Sequence, residues 1–126
     1  MSITLVLGCA RVPSQSLTDG SSRIEARPFA VRFDNGAREY VHVYLIGEKR
    51  EWLLGRVEPG ATRTLPIPEE ALRNTMFVRL AVISGDRAIF QAARNSRATL
   101  TIAQPLSSLL AERWSFAQGQ LKSLSR

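Results

Sequence analysis

The stretch VHVYLIGEKREWLLGRV, residues 41–57, decides the fold that this sequence predicts. Its first part is rich in β-branched and aromatic residues, which favour strands. Alternate residues from Val41 to Leu45 are valine or leucine and share one face, while the residues between them share the other. Residues 47–50 are polar and suit a tight loop, and residues 51–57 then form a return strand. The stretch therefore predicts a β-hairpin.

Short segments of the same kind lie on both sides of this hairpin. They are separated by turn signals such as Asn35-Gly36 and Pro59-Gly60. One helical turn, residues 68–74, interrupts them. The pattern predicts an all-β fold, an antiparallel β-sandwich of about seven strands, immunoglobulin-like or transthyretin-like, formed by residues 29–103. The predicted strands are residues 29–34, 40–46, 51–57, 62–67, 76–83, 88–92 and 98–103.

The composition is that of one globular domain with a basic surface. The chain has 126 residues, of which 44% are hydrophobic and 22% charged, and its formal net charge is +6. A basic surface favours acidic partners, anionic lipid headgroups or nucleic acid. The sequence argues against nucleic acid, because no recognised motif is present and aromatic residues do not interleave with the basic loops. No apolar run approaches the ~20 residues that cross a bilayer.

Residues that carry catalysis or bind a metal are sparse. Cys9 is the single cysteine and His42 the single histidine, whereas metal sites usually need three or four clustered ligands. No glycine-rich phosphate-binding motif occurs. We therefore expect no enzyme activity, no cofactor and no metal, and we expect His42 to be a structural strand residue. Aromatic residues of strands are expected in the core, although they would also suit a ligand surface; here they are Tyr40, Tyr44, Trp52 and Phe90.

The first nine residues resemble the end of a bacterial lipoprotein signal. Val6-Leu7-Gly8-Cys9 matches the box in which a small residue admits the protease and the cysteine thiol receives diacylglycerol. Residues 10–28 contain proline, glycine and several serines, which predicts a flexible tether. The basic and apolar regions that normally precede the box are curtailed.

Two interpretations of this N-terminal segment stay open. In the first, residues 1–9 are a truncated lipoprotein signal, Cys9 is the lipidation site, and the protein lies on the periplasmic face of a bacterial membrane. In the second, the segment is a first β-strand that ends in a buried thiol, and the protein is cytoplasmic.

Residues 29–103 resemble a group of small uncharacterised lipoproteins of high-GC bacteria. The shared pattern is a Val-x-x-x-Asn strand end, a Val-x-Val-Tyr strand, a glycine in the hairpin, Leu-Gly-x-Val and a later Leu-Pro. The resemblance implies an immunoglobulin-like or transthyretin-like sandwich in a lipoprotein, and it brings no catalytic residues. In this sequence the pattern falls on Val31, Asn35, Val41, Val43, Tyr44, Gly47, Leu54, Gly55, Val57, Leu65 and Pro66.

Residues 104–126 predict an amphipathic helix appended to the sandwich. Apolar residues recur there at spacings of three and four, which places them on one helical face. The helix is expected to pack on its own domain, to dock in a groove of another protein or to lie in a membrane interface. The apolar residues of this face, which we name the stripe, are the candidates for binding a partner: Leu106, Leu109, Leu110, Trp114, Leu121 and Leu124.

Two functions from different classes follow from these features. The first is a non-enzymatic interaction module, an accessory or stabilising subunit of a larger membrane-associated assembly of the envelope or electron-transfer (photosynthetic) type. The second is a free-standing sandwich that binds an anionic small molecule or glycan through arginine-rich loops. The basic residues at or near predicted turns are Arg38, Lys49, Arg50, Arg87, Arg94 and Arg97.

Overall fold

A computed structural model describes residues 29–74 and 76–124, and it shows a β-sandwich with two short helices. The strands are β1 (Ala30–Asn35), β2 (Val41–Ile46), β3 (Glu51–Val57), β4 (Thr62–Pro66), β5 (Phe77–Ser84), β6 (Thr99–Leu100), β7 (Gln104–Pro105), β8 (Arg113–Ala117) and β9 (Gln120–Leu124). The helices are α1 (Glu69–Asn74) and α2 (Leu106–Leu110), and a 3-10 turn spans Ala92–Arg94. The predicted signal, tether and lipidation residue Cys9 lie outside the described residues.

The described strands form two packed sheets, which confirms the predicted all-β sandwich. Sheet A has the strand order β4-β1-β8-β9, and sheet B has the order β3-β2-β5-β6, with β7 also paired to β5. Strand β8 runs parallel to β1, which departs from the expected antiparallel pattern. The reason is the route of the chain, because α2 carries it from β7 beside sheet B to the start of β8 in sheet A.

The central hairpin of sheet B forms as its sequence predicts. Ile46 pairs with Glu51, and the loop is closed by a 2.7 Å hydrogen bond from the Gly47 N–H to the Arg50 carbonyl. All six residues of β2 are buried, although a strand of a two-sheet sandwich normally buries only one face. Something must therefore cover the outer face of sheet B.

The main core lies between the two sheets. It is built from inward-facing residues that alternate along the strands, joined by Ile67, by Ala71 of α1 and by Leu109 of α2. Each fully buried aliphatic or aromatic side chain contributes roughly 1.5–3 kcal/mol before the entropy cost of folding. The buried members are Val31, Phe33, Val41, Val43, Leu45, Val57, Leu65, Ile67, Ala71, Val78, Leu80, Val82, Leu109, Trp114 and Phe116.

Residues 85–98, which we name the strap, cover the outer face of sheet B. The predicted strand 88–92 is wrong, and of the predicted strand 98–103 only Thr99–Leu100 is a strand, paired with β5. The strap needs no strand partner because side chains of β2 and β3 accept hydrogen bonds from its backbone. A second buried apolar cluster lies on this face and consists of Tyr44, Ile46, Ala81, Ile83 and Ala92.

The C-terminal segment is a short helix followed by a hairpin, so the predicted amphipathic helix over residues 104–126 is wrong. Only α2 is helical, and β8 and β9 are joined by a turn in which Gln118 and Gly119 have positive φ angles of 55° and 75°. Such a turn matches the twist of paired strands. The helical spacing of the leucines is coincidental, because Trp114 and Phe116 are alternate, buried residues of a strand.

Candidate functional site

Glu51, the first residue of β3, anchors the middle of the strap. Its Oε1 accepts a 2.7 Å hydrogen bond from the backbone N–H of Ala92, and its Oε2 accepts one of 3.0 Å from that of Ala93. These donors belong to the 3-10 turn Ala92–Arg94. Hydrogen bonds to a carboxylate are roughly twice as strong as neutral ones, so this contact holds the turn firmly against sheet B.

Two side chains of β2 hold the first part of the strap. The Tyr44 hydroxyl accepts a 2.9 Å hydrogen bond from the backbone N–H of Ala88. The Nδ1 of His42 lies 2.8 Å from the carbonyl oxygen of Gly85, and because a carbonyl oxygen only accepts, Nδ1 carries the proton. His42 is only 6% exposed, and this contact gives it a structural role.

Ile89 and Phe90, which we name the apolar tip, project from the anchored strap into solvent. Their side chains are 88% and 85% exposed. Exposed apolar side chains that lie together mark binding surfaces far more often than single ones do. The expectation that Phe90 lies in the core is wrong, because the small residues Ala88 and Ala92 face sheet B in its place.

A basic cleft opens beside the apolar tip, at the end of the sandwich where β2 turns into β3. Its volume is about 360 Å³. A second open cleft of about 590 Å³ shares Glu51, Gln91 and Arg94 with the first and continues along Ile89 and Phe90. The tip and the basic cleft therefore form one continuous surface. The cations that line the basic cleft are Lys49, Arg50, Arg79 and Arg94.

The cations of the basic cleft differ in whether they already interact with neighbouring side chains. Arg50 forms a salt bridge with Glu70, and its guanidinium carbon lies 5.6 Å from the centroid of the Trp52 ring. Glu51, which also lines the cleft, has both oxygens on the strap backbone. The cations that form no salt bridge among the described residues are Lys49, Arg79 and Arg94. Their charges remain available to an anionic ligand.

The six basic residues selected from the sequence do not form one site. Lys49, Arg50 and Arg94 line the basic cleft, and Arg87 lies on the strap two residues before Ile89. The other two lie at the opposite end of β2: Arg97 donates a 3.0 Å hydrogen bond to the Ser84 carbonyl, and Arg38 lines a separate cleft.

Sequence reasoning missed Arg79 and Ile89, and it named Phe90 as a ligand-surface residue only as the alternative to a place in the core. Arg79 is the only charged residue within the apolar strand segment 76–83, and a charge in such a segment points to a place where one face meets solvent. Ile89 and Phe90 carry no comparable signal, because AIFQA reads equally well as a buried strand.

The stripe selected as a partner-binding surface packs on its own domain. Leu109 and Trp114 are 0% and 5% exposed, and the Trp114 indole N–H donates a 3.0 Å hydrogen bond to the Leu109 carbonyl. These two side chains are thus not presented to a partner. The other members are half-buried, and they are Leu106, Leu110, Leu121 and Leu124.

The described residues contain no group of three or more His, Cys, Asp or Glu side chains placed to hold a metal ion. No helix in the described part of the chain is long and apolar enough to cross a membrane. No known protein family, curated protein or solved structure matches this chain. The surface formed by the apolar tip and the basic cleft is therefore selected as the candidate site from its geometry and not from a related protein.

Proposed function

We propose that the protein is a non-enzymatic interaction module, an accessory subunit of a larger membrane-associated assembly on the periplasmic side of a bacterial membrane. Its docking surface is the apolar tip together with the basic cleft. The observation that carries this proposal is the exposure of Ile89 and Phe90, at 88% and 85%, on a segment that side chains of β2 and β3 hold in place.

The anchoring of the strap supports a binding role for its tip. Loops that bind are typically positioned by a rigid scaffold, and a segment already held in its bound conformation loses less entropy when it binds. Three side chains are committed to this segment: Tyr44 and Glu51 accept hydrogen bonds from its backbone N–H groups, and His42 donates one to the Gly85 carbonyl. Polar residues at these two solvent-facing positions would not lower the stability of the fold, yet the sequence has two large apolar residues there.

Recovery of the assembly from native membranes tests the proposal. The double variant Ile89→Ser/Phe90→Ser should fold normally, because both side chains are exposed, yet lose the proteins that copurify with the parent chain. Ile102→Ser is the matched control, since Ile102 is 79% exposed and lines neither cleft. Retention of every partner by the double variant, or equal loss in the control, would contradict the proposal.

The proposal includes a lipid anchor at Cys9 and an immunoglobulin-like or transthyretin-like type for the sandwich. The resemblance of residues 29–103 to small bacterial lipoproteins supports both, and the lipoprotein box that ends at Cys9 supports the anchor. The expected intact mass is that of residues 9–126 plus lipid, and Cys9→Ser should release the protein from membranes. A mature chain that keeps Met1 and a free thiol would exclude the anchor and favour the cytoplasm.

Binding of an anionic small molecule or glycan is a second candidate function. The observation that favours it is the basic cleft itself, in which Lys49, Arg79 and Arg94 form no salt bridge among the described residues. Arginine suits carboxylate, sulfate and phosphate groups because its planar donors bind two oxygens at once. Calorimetric titration with a sulfated glycan distinguishes the candidates, because Arg79→Gln/Arg94→Gln should abolish such binding and Ile89→Ser/Phe90→Ser should preserve it.

A further inference from the structure

We infer that the apolar tip and the basic cleft together bind an anionic lipid surface. In this arrangement Ile89 and Phe90 enter the headgroup region, and the cations of the cleft contact lipid phosphates. The inference rests on the proposed function, because it names the lipid of the membrane as what the docking surface meets.

The size and shape of the tip suit a lipid surface better than a protein partner. Two adjacent large side chains bury roughly 300–500 Å² at most. A stable protein interface buries about 1,200–2,000 Å² in total and centres on well-packed pockets. An interfacial lipid contact needs only a shallow apolar element that reaches roughly 5–10 Å into the boundary between headgroups and acyl chains. A protruding pair of residues provides that element.

The charges around the tip complement an anionic leaflet. Arg87 precedes Ile89 by two residues, and Arg94 follows Phe90 by four and lines both clefts. Lys49 and Arg79 extend the positive surface away from the tip, a distribution that agrees with the net charge of +6. A Lys or Arg close to an anionic leaflet strengthens binding by about fivefold.

A lipid surface is also the ligand that uses both features at once. A small anion would occupy the basic cleft and leave Ile89 and Phe90 in water. An acidic protein would satisfy the cations, but the tip would need a matching pocket on that protein to leave water. Anionic headgroups above an apolar layer satisfy the cations and bury the tip in a single contact.

Vesicle binding tests the inference. Every sample is the full chain with Cys9→Ser, so that no acyl chain contributes, and sedimentation measures its binding to vesicles of phosphatidylcholine with or without phosphatidylglycerol. The expected result is binding that requires phosphatidylglycerol and weakens with salt. Ile89→Ser/Phe90→Ser should weaken it at least about tenfold. Arg79→Gln/Arg94→Gln should weaken it roughly 25-fold, at about fivefold for each charge.

Two matched variants control for apolar exposure and for charge. Ile102→Ser removes an apolar side chain that is 79% exposed, and Arg38→Gln removes a cation at the opposite end of β2. Both should bind like the parent chain. Phe90→Trp adds a depth measurement, because brominated phosphatidylcholine in the mixed vesicles should quench this tryptophan more strongly than the native ones.

The outcomes separate this inference from the proposed function. Absence of vesicle binding, or binding that the tip and cleft variants leave unchanged, overturns the lipid inference. If Ile89→Ser/Phe90→Ser then still loses the native assembly, the docking function stands with a protein as its partner. If the same variant loses neither vesicles nor assembly, both proposals are overturned.

Discussion

The side-chain amide of Asn35 donates a 3.0 Å hydrogen bond to the backbone carbonyl of Val57, and this bond joins strands that belong to different sheets. The same nitrogen donates a 2.9 Å bond to the Glu39 carbonyl, and Oδ1 accepts one of 2.9 Å from the Ala37 N–H. Asn35 is 1% exposed. One buried side chain thus fixes the loops at the end of the sandwich opposite the basic cleft.

Asn35→Ala should therefore destabilise the fold strongly. The substitution leaves the Val57 and Glu39 carbonyls and the Ala37 N–H without their partner. An unsatisfied buried polar group costs about 1–3 kcal/mol, and partial access of water to the loop should limit the total to roughly 2–4 kcal/mol. Urea unfolding measures this loss.

Asn95→Ala is the matched control for Asn35. Its Oδ1 accepts a 2.8 Å hydrogen bond from the Arg97 N–H, which is the same local turn contact as the one from Ala37 to Asn35. Asn95 is half-buried, and this hydrogen bond is exposed to solvent. We expect a loss of no more than about 1 kcal/mol, because water replaces an exposed partner. Equal losses at the two asparagines would contradict the role assigned to the bond between sheets.

Truncation after Ala103 should abolish folding. The deletion removes β7, α2, β8 and β9, and β8 lies between β1 and β9 in sheet A. It also removes Leu109, Trp114 and Phe116 from the main core. Circular dichroism during urea titration should show no cooperative transition in the truncated chain. A sharp transition would show that the sandwich closes without its last hairpin.

Trp114 should be the most sensitive single position in this C-terminal segment. Trp114→Ala removes a buried indole and should cost about 3–5 kcal/mol. Trp114→Phe keeps an aromatic ring but removes the indole N–H donor, while the Leu109 carbonyl still accepts the long 3.5 Å hydrogen bond from the Glu112 N–H. We therefore expect a smaller loss of about 0.5–1.5 kcal/mol. Leu124→Ala, at a half-buried position on β9, serves as the reference in the same urea series.

Glu51→Gln should loosen the strap without unfolding the sandwich. An amide side chain offers one acceptor oxygen, so one of the two backbone N–H groups of Ala92 and Ala93 loses its partner. Hydrogen exchange of these two amides should accelerate by about tenfold or more, and trypsin should cut faster after Arg94. Glu48→Gln changes the same hairpin without touching the strap backbone, and it should leave both rates unchanged.

Variants of His42 test whether this position stabilises the fold through its hydrogen bond or through apolar packing. His42→Asn can place its amide nitrogen near the position of Nδ1 and keep the bond to the Gly85 carbonyl. His42→Leu cannot donate, and it leaves that carbonyl unpaired at a cost of about 1–3 kcal/mol. Thermal unfolding should rank the asparagine variant above the leucine variant. The reverse order would mean that apolar packing, and not the donor, is what position 42 supplies.

Local patterns were sufficient for the first five strands. The hairpin of β2 and β3 follows from alternation around a short polar loop, and β5 follows from its apolar run. Local patterns failed after Gly85, because residues 88–92 alternate like a strand while their backbone donors are taken by Tyr44 and Glu51, far away in sequence. No local rule reveals such distant acceptors.

The candidate site was only partly visible in the sequence for a related reason. Lys49, Arg50 and Arg94 could be selected as basic residues near turns, but their grouping with Arg79 depends on the pairing of β2 with β5. The leucine spacing of residues 106–124 matched a helix, yet only Leu106–Leu110 is helical, and a turn with positive φ at Gln118 and Gly119 joins two strands in the rest. A spacing of four residues fits both the helical period of about 3.6 and the strand period of two. Over so short a segment, the turn therefore decides between helix and strands.

The parallel pairing of β1 with β8 has a consequence for how the protein folds. Arg32, near the start of the described chain, pairs with Arg113, near its end. One edge of β1 therefore stays open until β8 has folded against it. Contacts so distant in sequence slow folding, and open strand edges aggregate. We expect refolding to be slow, and aggregation to compete with it at high protein concentration, until the hairpin of β8 and β9 has formed.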